Sequence, residues 1–278
     1  MTRAMGLPGM KESYVEAGGS RLRVFAGGEG PPLLLVHGLS GSAANFVELA
    51  PRLSPSFRLL VPDLPGHGGS APLRGVESLE PFAACLAGLL EREEAGPAAV
   101  VGHSLGGVLG VRLALMRPDL VRALVLVSAA GIATASVQAR AIVTALGHLR
   151  PGRLVAPLRG PLAGSAWFRT LCFQHFFVAD APALSALAVH GLLAGHVEHA
   201  DVRTAGQALL REDVRGDLDR VACPALVVWG ARDTQVPVGD ALAYARRLRA
   251  PLRVIAGCGH LPIVERPDAV ADAVLGFL

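Results

Sequence analysis

Lysine is almost missing from this chain of 278 residues: Lys11 stands alone against 25 arginines, and the formal net charge is only +3. The arginines are interspersed with acids, so there is neither a basic stripe nor a recognition motif of the kind a nucleic-acid partner requires. The bias fits a GC-rich coding sequence better than it fits a polyanion surface. Long apolar runs are lacking too. Hydrophobic residues make up 51% of the chain, yet no stretch reaches the ~18 uninterrupted apolar residues of a membrane-spanning helix. The two longest candidates, Ala98–Met116 and Val121–Ala135, are broken by His103, Arg112 and Arg122 and by glycines. Four scattered cysteines (Cys85, Cys172, Cys223, Cys258) show no metal-ligand spacing and no disulfide framework. Residues 1–13 carry no apolar segment of a secretory signal. These absences predict an ordered cytoplasmic chain whose hydrophobicity lies in a buried sheet, without a transmembrane segment. Oligomeric state is left open.

A regular rhythm fills the space those absences leave. Short apolar runs recur at Pro32–Val36, Leu59–Val61, Ala98–Val101, Ala123–Val127, Ala225–Val228 and Leu252–Ile255. They do not alternate, and they end in Gly or Asp, as strands buried on both faces do. Helical patterns lie between them at roughly 42–53, 78–93, 105–117, 238–249 and 266–278. Strand followed by helix, repeated, predicts an α/β fold with a mostly parallel sheet. Ahead of these, Ser13–Ala17 and Arg21–Ala26 flank Gly18-Gly19-Ser20 and predict an antiparallel hairpin.

Between about Gly131 and Arg220 the rhythm stops. The stretch is rich in Ala and Leu and is punctuated by Pro151, Pro157, Pro161 and Pro182. It predicts a helical insertion covering a site as a lid, with residues 1–130 and 221–278 forming the core domain and 131–220 the lid.

The chemistry sits where strands end. Ala98–Val101 runs into Gly102-His103-Ser104-Leu105-Gly106-Gly107, a G-x-S-x-G pattern between a strand and a helix. A sharp turn there lifts a serine hydroxyl clear of the backbone, and side chains in place of Gly102 and Gly106 would collide. The helix start sets free N–H groups beside the serine oxygen. Serine is a weak nucleophile and needs a base that an acid orients. Asp233 follows the strand Ala225–Val228, and His260 lies in Gly257-Cys258-Gly259-His260 after Leu252–Ile255. Ser104, Asp233 and His260 would thus meet at the sheet's C-terminal edge, where open α/β sheets bind ligands. Two backbone donors are needed for a developing oxyanion. The N–H of Leu105 is one, and the N–H of Leu39, in Val36-His37-Gly38-Leu39-Ser40-Gly41, is the other. Ser40 fits either a helper in that role or a helix N-cap.

With these motifs the chain resembles the α/β-hydrolase superfamily over nearly its whole length except the insertion. The resemblance implies an eight-stranded, mostly parallel sheet flanked by helices, with Ser104 in a serine-nucleophile, esterase-like branch. Val61-Pro62-Asp63-Leu64-Pro65-Gly66-His67-Gly68-Gly69-Ser70 resembles the family's structural loop after the next strand, so Asp63 and His67 are expected to be structural. His37 and His103 are expected to pack or to hold loops. Members with dehalogenase-like or epoxide-hydrolase-like chemistry carry aspartate at the nucleophile, unlike Ser104. Carbon–carbon hydrolases usually show Gly-Pro-Gly where this chain has Leu39-Ser40-Gly41. The implied activity is cleavage of a small carboxylic ester through an acyl-enzyme, with no cofactor or metal. Carbon–carbon hydrolysis, lactone hydrolysis, perhydrolysis and acyl transfer on the same triad remain open, as does a ligand receptor with little turnover.

Trp167, Phe168, Phe173, Phe176 and Phe177 fall within eleven residues of the insertion. They predict an apolar substrate wall or ordinary packing of the helices, and the first four are taken as candidate substrate contacts. His190, His196, Glu198 and His199 lack metal-binding spacing, since six residues place His190 and His196 on different helix faces. They predict a solvated or core-capping surface.

Overall fold

A computed structural model of the chain describes residues 5–132, 141, 144, 151–174 and 177–278. Eight strands form one sheet in the order β1-β2-β4-β3-β5-β6-β7-β8. They are β1 (Lys11–Ala17), β2 (Ser20–Gly27), β3 (Pro32–Val36), β4 (Arg58–Pro62), β5 (Ala98–His103), β6 (Val121–Val127), β7 (Ala225–Gly230) and β8 (Leu252–Ile255). The hairpin β1–β2 and the β2–β4 pair are antiparallel, and every other pairing is parallel.

The helices are α1 (Ala50–Leu53), α2 (Glu80–Arg92), α3 (Leu105–Met116), α4 (Pro151–Val155), α5 (Arg159–Leu162), α6 (Ala166–Phe173), α7 (Ala186–Ala194), α8 (Val202–Leu210), α9 (Val238–Leu248), α10 (Pro262–Glu265) and α11 (Pro267–Phe277). No helix among the described residues is long and apolar enough to cross a membrane.

The unbroken apolar runs of the central strands follow from their place between two helical layers. In β3, Leu34 and Val36 join the core that holds Phe82 of α2, Val108 of α3 and Tyr244 of α9. Leu33 and Leu35 point the other way, into the core with Phe46, Leu53 of α1 and Val270 of α11. Successive side chains of a strand face opposite ways, so a strand covered on both faces needs an apolar residue at every position.

Two local expectations change. No single helix runs over 42–53: a 3₁₀ turn, Ala43–Phe46, is followed by the one-turn α1. Pro51 has no N–H for the Val47 carbonyl, so a helix arriving from Ala43 cannot pass it. Strand β8 is not buried on both faces either. It pairs only with β7, and Arg253 and Val254 are exposed, because β8 is a sheet edge.

The order in which strands are added to the sheet reverses at β3, since β4 lies on one side of β3 and β5 on the other. That reversal opens a crevice at the carboxyl ends of the strands. Between β6 and β7 the described residues include helices α4–α8 and several 3₁₀ turns and no strand. This segment packs hard on the core. A Cβ added to Gly191 would stand 2.4 Å from the Ala44 carbonyl oxygen, and one at Gly195 would stand 2.7 Å from Ser42 Cβ. The N–H groups of Ala200 and Asp201 both donate to Gly66 O at 3.0 Å.

A buried ion pair ties the same region together. Arg23 Nε donates to Asp63 Oδ2 at 2.6 Å, and its guanidinium also reaches Glu198 of the inserted segment at 2.9 Å. Asp63 further accepts the N–H of Ala43 at 2.7 Å and of Gly69 at 2.9 Å. Removing Asp63 would leave the buried guanidinium with Glu198 alone and take the acceptor from two N–H groups. Asp63→Ala is therefore expected to lower unfolding stability by about 3–5 kcal/mol, measured by urea titration. A loss under ~1 kcal/mol would show that the pair carries little weight.

Candidate active site

Strand β5 delivers Ser104 into a turn whose φ of 53° and ψ of −115° lie outside the regions that side chains favour. Such strain persists only where the surroundings over-determine it, and here they do. Ser104 N–H donates to Val127 O at 3.0 Å, while Ser104 O accepts from Gly107 N–H at 2.9 Å and Ala130 N–H at 3.1 Å. The flanking glycines are required by contact. A Cβ at Gly102 would sit 2.2 Å from Gly106 O, and a Cβ at Gly106 would sit 2.1 Å from Val36 O.

Three side chains line up from this turn. Ser104 Oγ is 3.1 Å from His260 Nε2, and His260 Nδ1 is 2.9 Å from Asp233 Oδ2. The other carboxylate oxygen of Asp233 accepts the N–H groups of Gln235 and Val236, each at 2.9 Å. Burial pushes the Asp233 carboxyl up, but the His260 ring and these two N–H groups outweigh burial and hold it below the ordinary carboxylate range. With Asp233 ionised, Nδ1 of His260 carries the proton and Nε2 is free to accept one from Ser104.

The loop carrying His260 is braced on every side. Its N–H donates to Phe177 O at 2.9 Å, and its carbonyl accepts from His103 Nε2 at 2.8 Å. Burial, and then the neighbouring His260, push His103 down to about 3, so it stays neutral and serves as a fixed donor. Glu265 gathers the N–H groups of Gly259, Leu261 and, across from the inserted segment, Ala179 at 2.7 Å. Burial raises its carboxyl despite these donors. Sequence reasoning passed over Glu265; the only signal was an acid one turn into the helix after the Gly259-His260 loop.

Leu105 is the first residue of α3, so its N–H has no carbonyl one turn earlier to bind. Leu39 is oriented differently. Its peptide partner, the Gly38 carbonyl, accepts from His37 Nδ1 at 2.8 Å and from Gly41 N–H at 3.0 Å. In a trans peptide the C=O and N–H point in opposite directions, so those bonds turn the Leu39 N–H the other way. His37 can donate from Nδ1 because its Nε2 accepts Leu64 N–H at 2.9 Å. Burial holds this imidazole well below its ordinary pKa, which keeps Nε2 an acceptor.

A cavity of about 130 Å³ opens onto Ser104 and His260. Its walls include Leu39, Phe173, Phe177, Leu192, Leu209 and Val236, with Asn45, His196 and Gln235 as polar points. Of the four aromatic candidates, Phe173 borders the cavity. Trp167 does not: it is 60% exposed on the outer face of α6, with Leu171 one turn on. Phe168 is buried in the core among apolar neighbours and also stays clear of the cavity. One face of a helix cannot serve solvent, core and cavity at once, and α6 turns only its C-terminal end toward the site. Phe176 lies outside the described residues. Phe177, from the same aromatic cluster, also borders the cavity, while Leu192, His196, Leu209 and Gln235 come to it through tertiary packing that no motif marks.

Comparison with known proteins agrees with this architecture. A family model described as "Alpha/beta hydrolase family" matches residues 33–273, and the chain belongs to that family. An uncharacterized protein of Mycobacterium bovis is 31% identical over 274 residues, covering 90% of this chain and 76% of its own length. A pimeloyl-[acyl-carrier protein] methyl ester esterase of Chromobacterium violaceum is 31% identical over 259 residues, covering 90% and 95%. The crystal structure of a putative lipase from Acinetobacter baumannii superposes with a TM-score of 0.78 at 23% identity, covering 97% of this chain and 91% of the other. The last of these speaks to the fold.

Gly106→Ala should be refused by the turn, because the new methyl meets backbone that no rotamer change can move. Soluble folded protein is expected to fall sharply, and thermal unfolding of what remains to come well below wild type. A melting temperature within about 3 °C of wild type would contradict the packing described.

Proposed function

We propose that this protein is a serine esterase in which Ser104 attacks the carbonyl of a small carboxylic ester. The observation that carries the proposal is the hydrogen-bonded line from Ser104 through His260 to Asp233, at 3.1 and 2.9 Å, opening onto one cavity. His260 Nε2 takes the Ser104 proton as Oγ bonds to the carbonyl carbon. Asp233 holds the Nδ1–H and stabilises the imidazolium so formed. The carbonyl oxygen becomes an oxyanion held by the N–H groups of Leu39 and Leu105. Collapse breaks the bond to the alkoxy group, and His260 returns its proton to that oxygen. Water then enters and its oxygen bonds to the acyl carbon as His260 removes one of its protons; collapse breaks the acyl–Ser104 bond, His260 returns that proton to Oγ, and the acid leaves.

Support for ester chemistry also comes from the relative that is a methyl ester esterase, with 90% of this chain aligned. The apolar walls suit the acyl or aryl part of the substrate, and the small volume favours short groups. We assign the helical segment between β6 and β7 the role of a lid over the site, since Phe173, Phe177, Leu192 and Leu209 from it form much of the wall.

Two outcomes test this reading. Wild-type protein should hydrolyse p-nitrophenyl esters and label with a fluorophosphonate. Ser104→Ala should lose labelling and drop kcat by about 10⁴-fold or more; undiminished turnover in that variant would end the proposal. Leu209→Trp should narrow the cavity and lower kcat/KM for p-nitrophenyl hexanoate more than for the acetate. An equal fall for both esters would place the acyl group elsewhere.

A further inference from the structure

Resting on the esterase reading, we infer that His199, in the inserted segment, is a positioning residue for the oxyanion donor Leu39, acting through two peptide planes that are hydrogen-bonded to each other. His199 Nε2 donates to the Ser40 carbonyl at 3.0 Å. That carbonyl belongs to the Ser40–Gly41 peptide, whose N–H therefore points the opposite way. Gly41 N–H donates to Gly38 O at 3.0 Å. Gly38 O belongs in turn to the peptide that carries the Leu39 N–H. Holding the first oxygen thus sets the second plane, and with it the direction of the donor.

The loop needs such a hold. Ser40 has a φ of 59°, in the left-handed region that a side chain occupies at a cost. The turn bond from Gly41 N–H to Gly38 O holds it locally, and the bond from His199 supplies a second anchor from outside the loop. The anchor is itself fixed. Gly68 N–H donates to His199 Nδ1 at 2.9 Å, which leaves the proton on Nε2. The ring is buried, edge-on to His196 at 5.1 Å and to His67 at 5.6 Å. His67 continues to His37 at 5.2 Å, and His37 donates to the same Gly38 oxygen. One carbonyl is thereby fixed from two directions by a row of four imidazoles.

The row works only while neutral, because His199 Nδ1 and His37 Nε2 must accept. Burial pushes His196 and His67 down to about 4, and burial followed by repulsion between imidazoles holds His199 and His37 well below the ordinary value. Gly195 and Gly191 press the same segment on Ser42 and Ala44, just past the loop. Residues 195–201 therefore cannot lift without slackening the oxyanion loop, and any opening of the lid must occur elsewhere in it.

The test compares two amides at position 199. In His199→Gln the longer side chain reaches the Nε2 position and can still donate to Ser40 O. In His199→Asn the amide reaches only the Nδ1 position and loses that bond. Turnover of p-nitrophenyl acetate and inhibition by an alkyl trifluoromethyl ketone, which binds as an oxyanion, are measured for both. Glu198→Ala serves as control, loosening the segment from Arg23 without touching Ser40. Asn should lower kcat about tenfold or more, leave KM within about twofold, and weaken the ketone in the same proportion as kcat. Gln and the Glu198 variant should keep kcat within about threefold.

Equal losses in Asn and Gln, a change confined to KM, or the same fall in Glu198→Ala would overturn the assignment. Should the 199 variants fail to fold, the ¹⁵N spectrum of wild-type His199 decides. A proton on Nε2 agrees with the bond to Ser40, and a proton on Nδ1 refutes it. Were wild-type protein inert toward esters and the fluorophosphonate, the esterase reading would fall, while the loop-holding bond would still stand or fall on that tautomer.

Discussion

Helix α3 approaches strand β3 so closely at Gly106 that a single methyl would stand 2.1 Å from the Val36 carbonyl oxygen. The site depends on that approach. It brings the turn bearing Ser104 against the loop bearing Leu39, so that the serine hydroxyl and the backbone N–H groups share one small volume. It also explains the glycines around Ser104, since Gly102 faces the backbone of Gly106 and Gly106 faces that of Val36. The strain of Ser104 is sustained because strand β6, the loop that follows it and helix α3 bond its N–H and carbonyl.

Around this contact the working groups are held by neutral histidines and buried acids rather than by surface charge. His37, His103 and His199 each donate one ring N–H to a loop carbonyl. Burial favours the uncharged imidazole in all three. Asp63 and Glu265 do the complementary work, gathering N–H groups from loops that would otherwise leave them unsatisfied in the interior. A low-dielectric setting makes each of these bonds more valuable and each broken one more costly.

Most of the sheet was legible because buried parallel strands must be apolar at every position. The elements missed or misjudged are those where a neighbour, not the local pattern, decides. Residues 42–53 carry a helical pattern, yet Pro51 divides them. Leu252–Ile255 reads like a central strand, yet it lies at the edge with Arg253 and Val254 exposed. Trp167 and Phe168 looked equivalent to Phe173 as cavity aromatics, but the rotation of α6 sends one to solvent and one to the core. Nothing in local spacing reports how a helix is rotated about its own axis.

Sequence alone determined the strand–helix rhythm, the glycine-bounded serine, and an aspartate and a histidine each placed just past a strand end. These are local consequences of backbone sterics and side-chain period, which the chain carries wherever it goes. Only the tertiary structure decided that Ser104, His260 and Asp233 stand 3.1 and 2.9 Å apart. It also decided that Glu265 braces the histidine loop, and that His199, 159 positions from Ser40, bonds the loop beside Ser104. Contacts between residues so distant in the chain arise from how the layers pack, and packing obeys shape and burial summed over the whole molecule rather than any short motif.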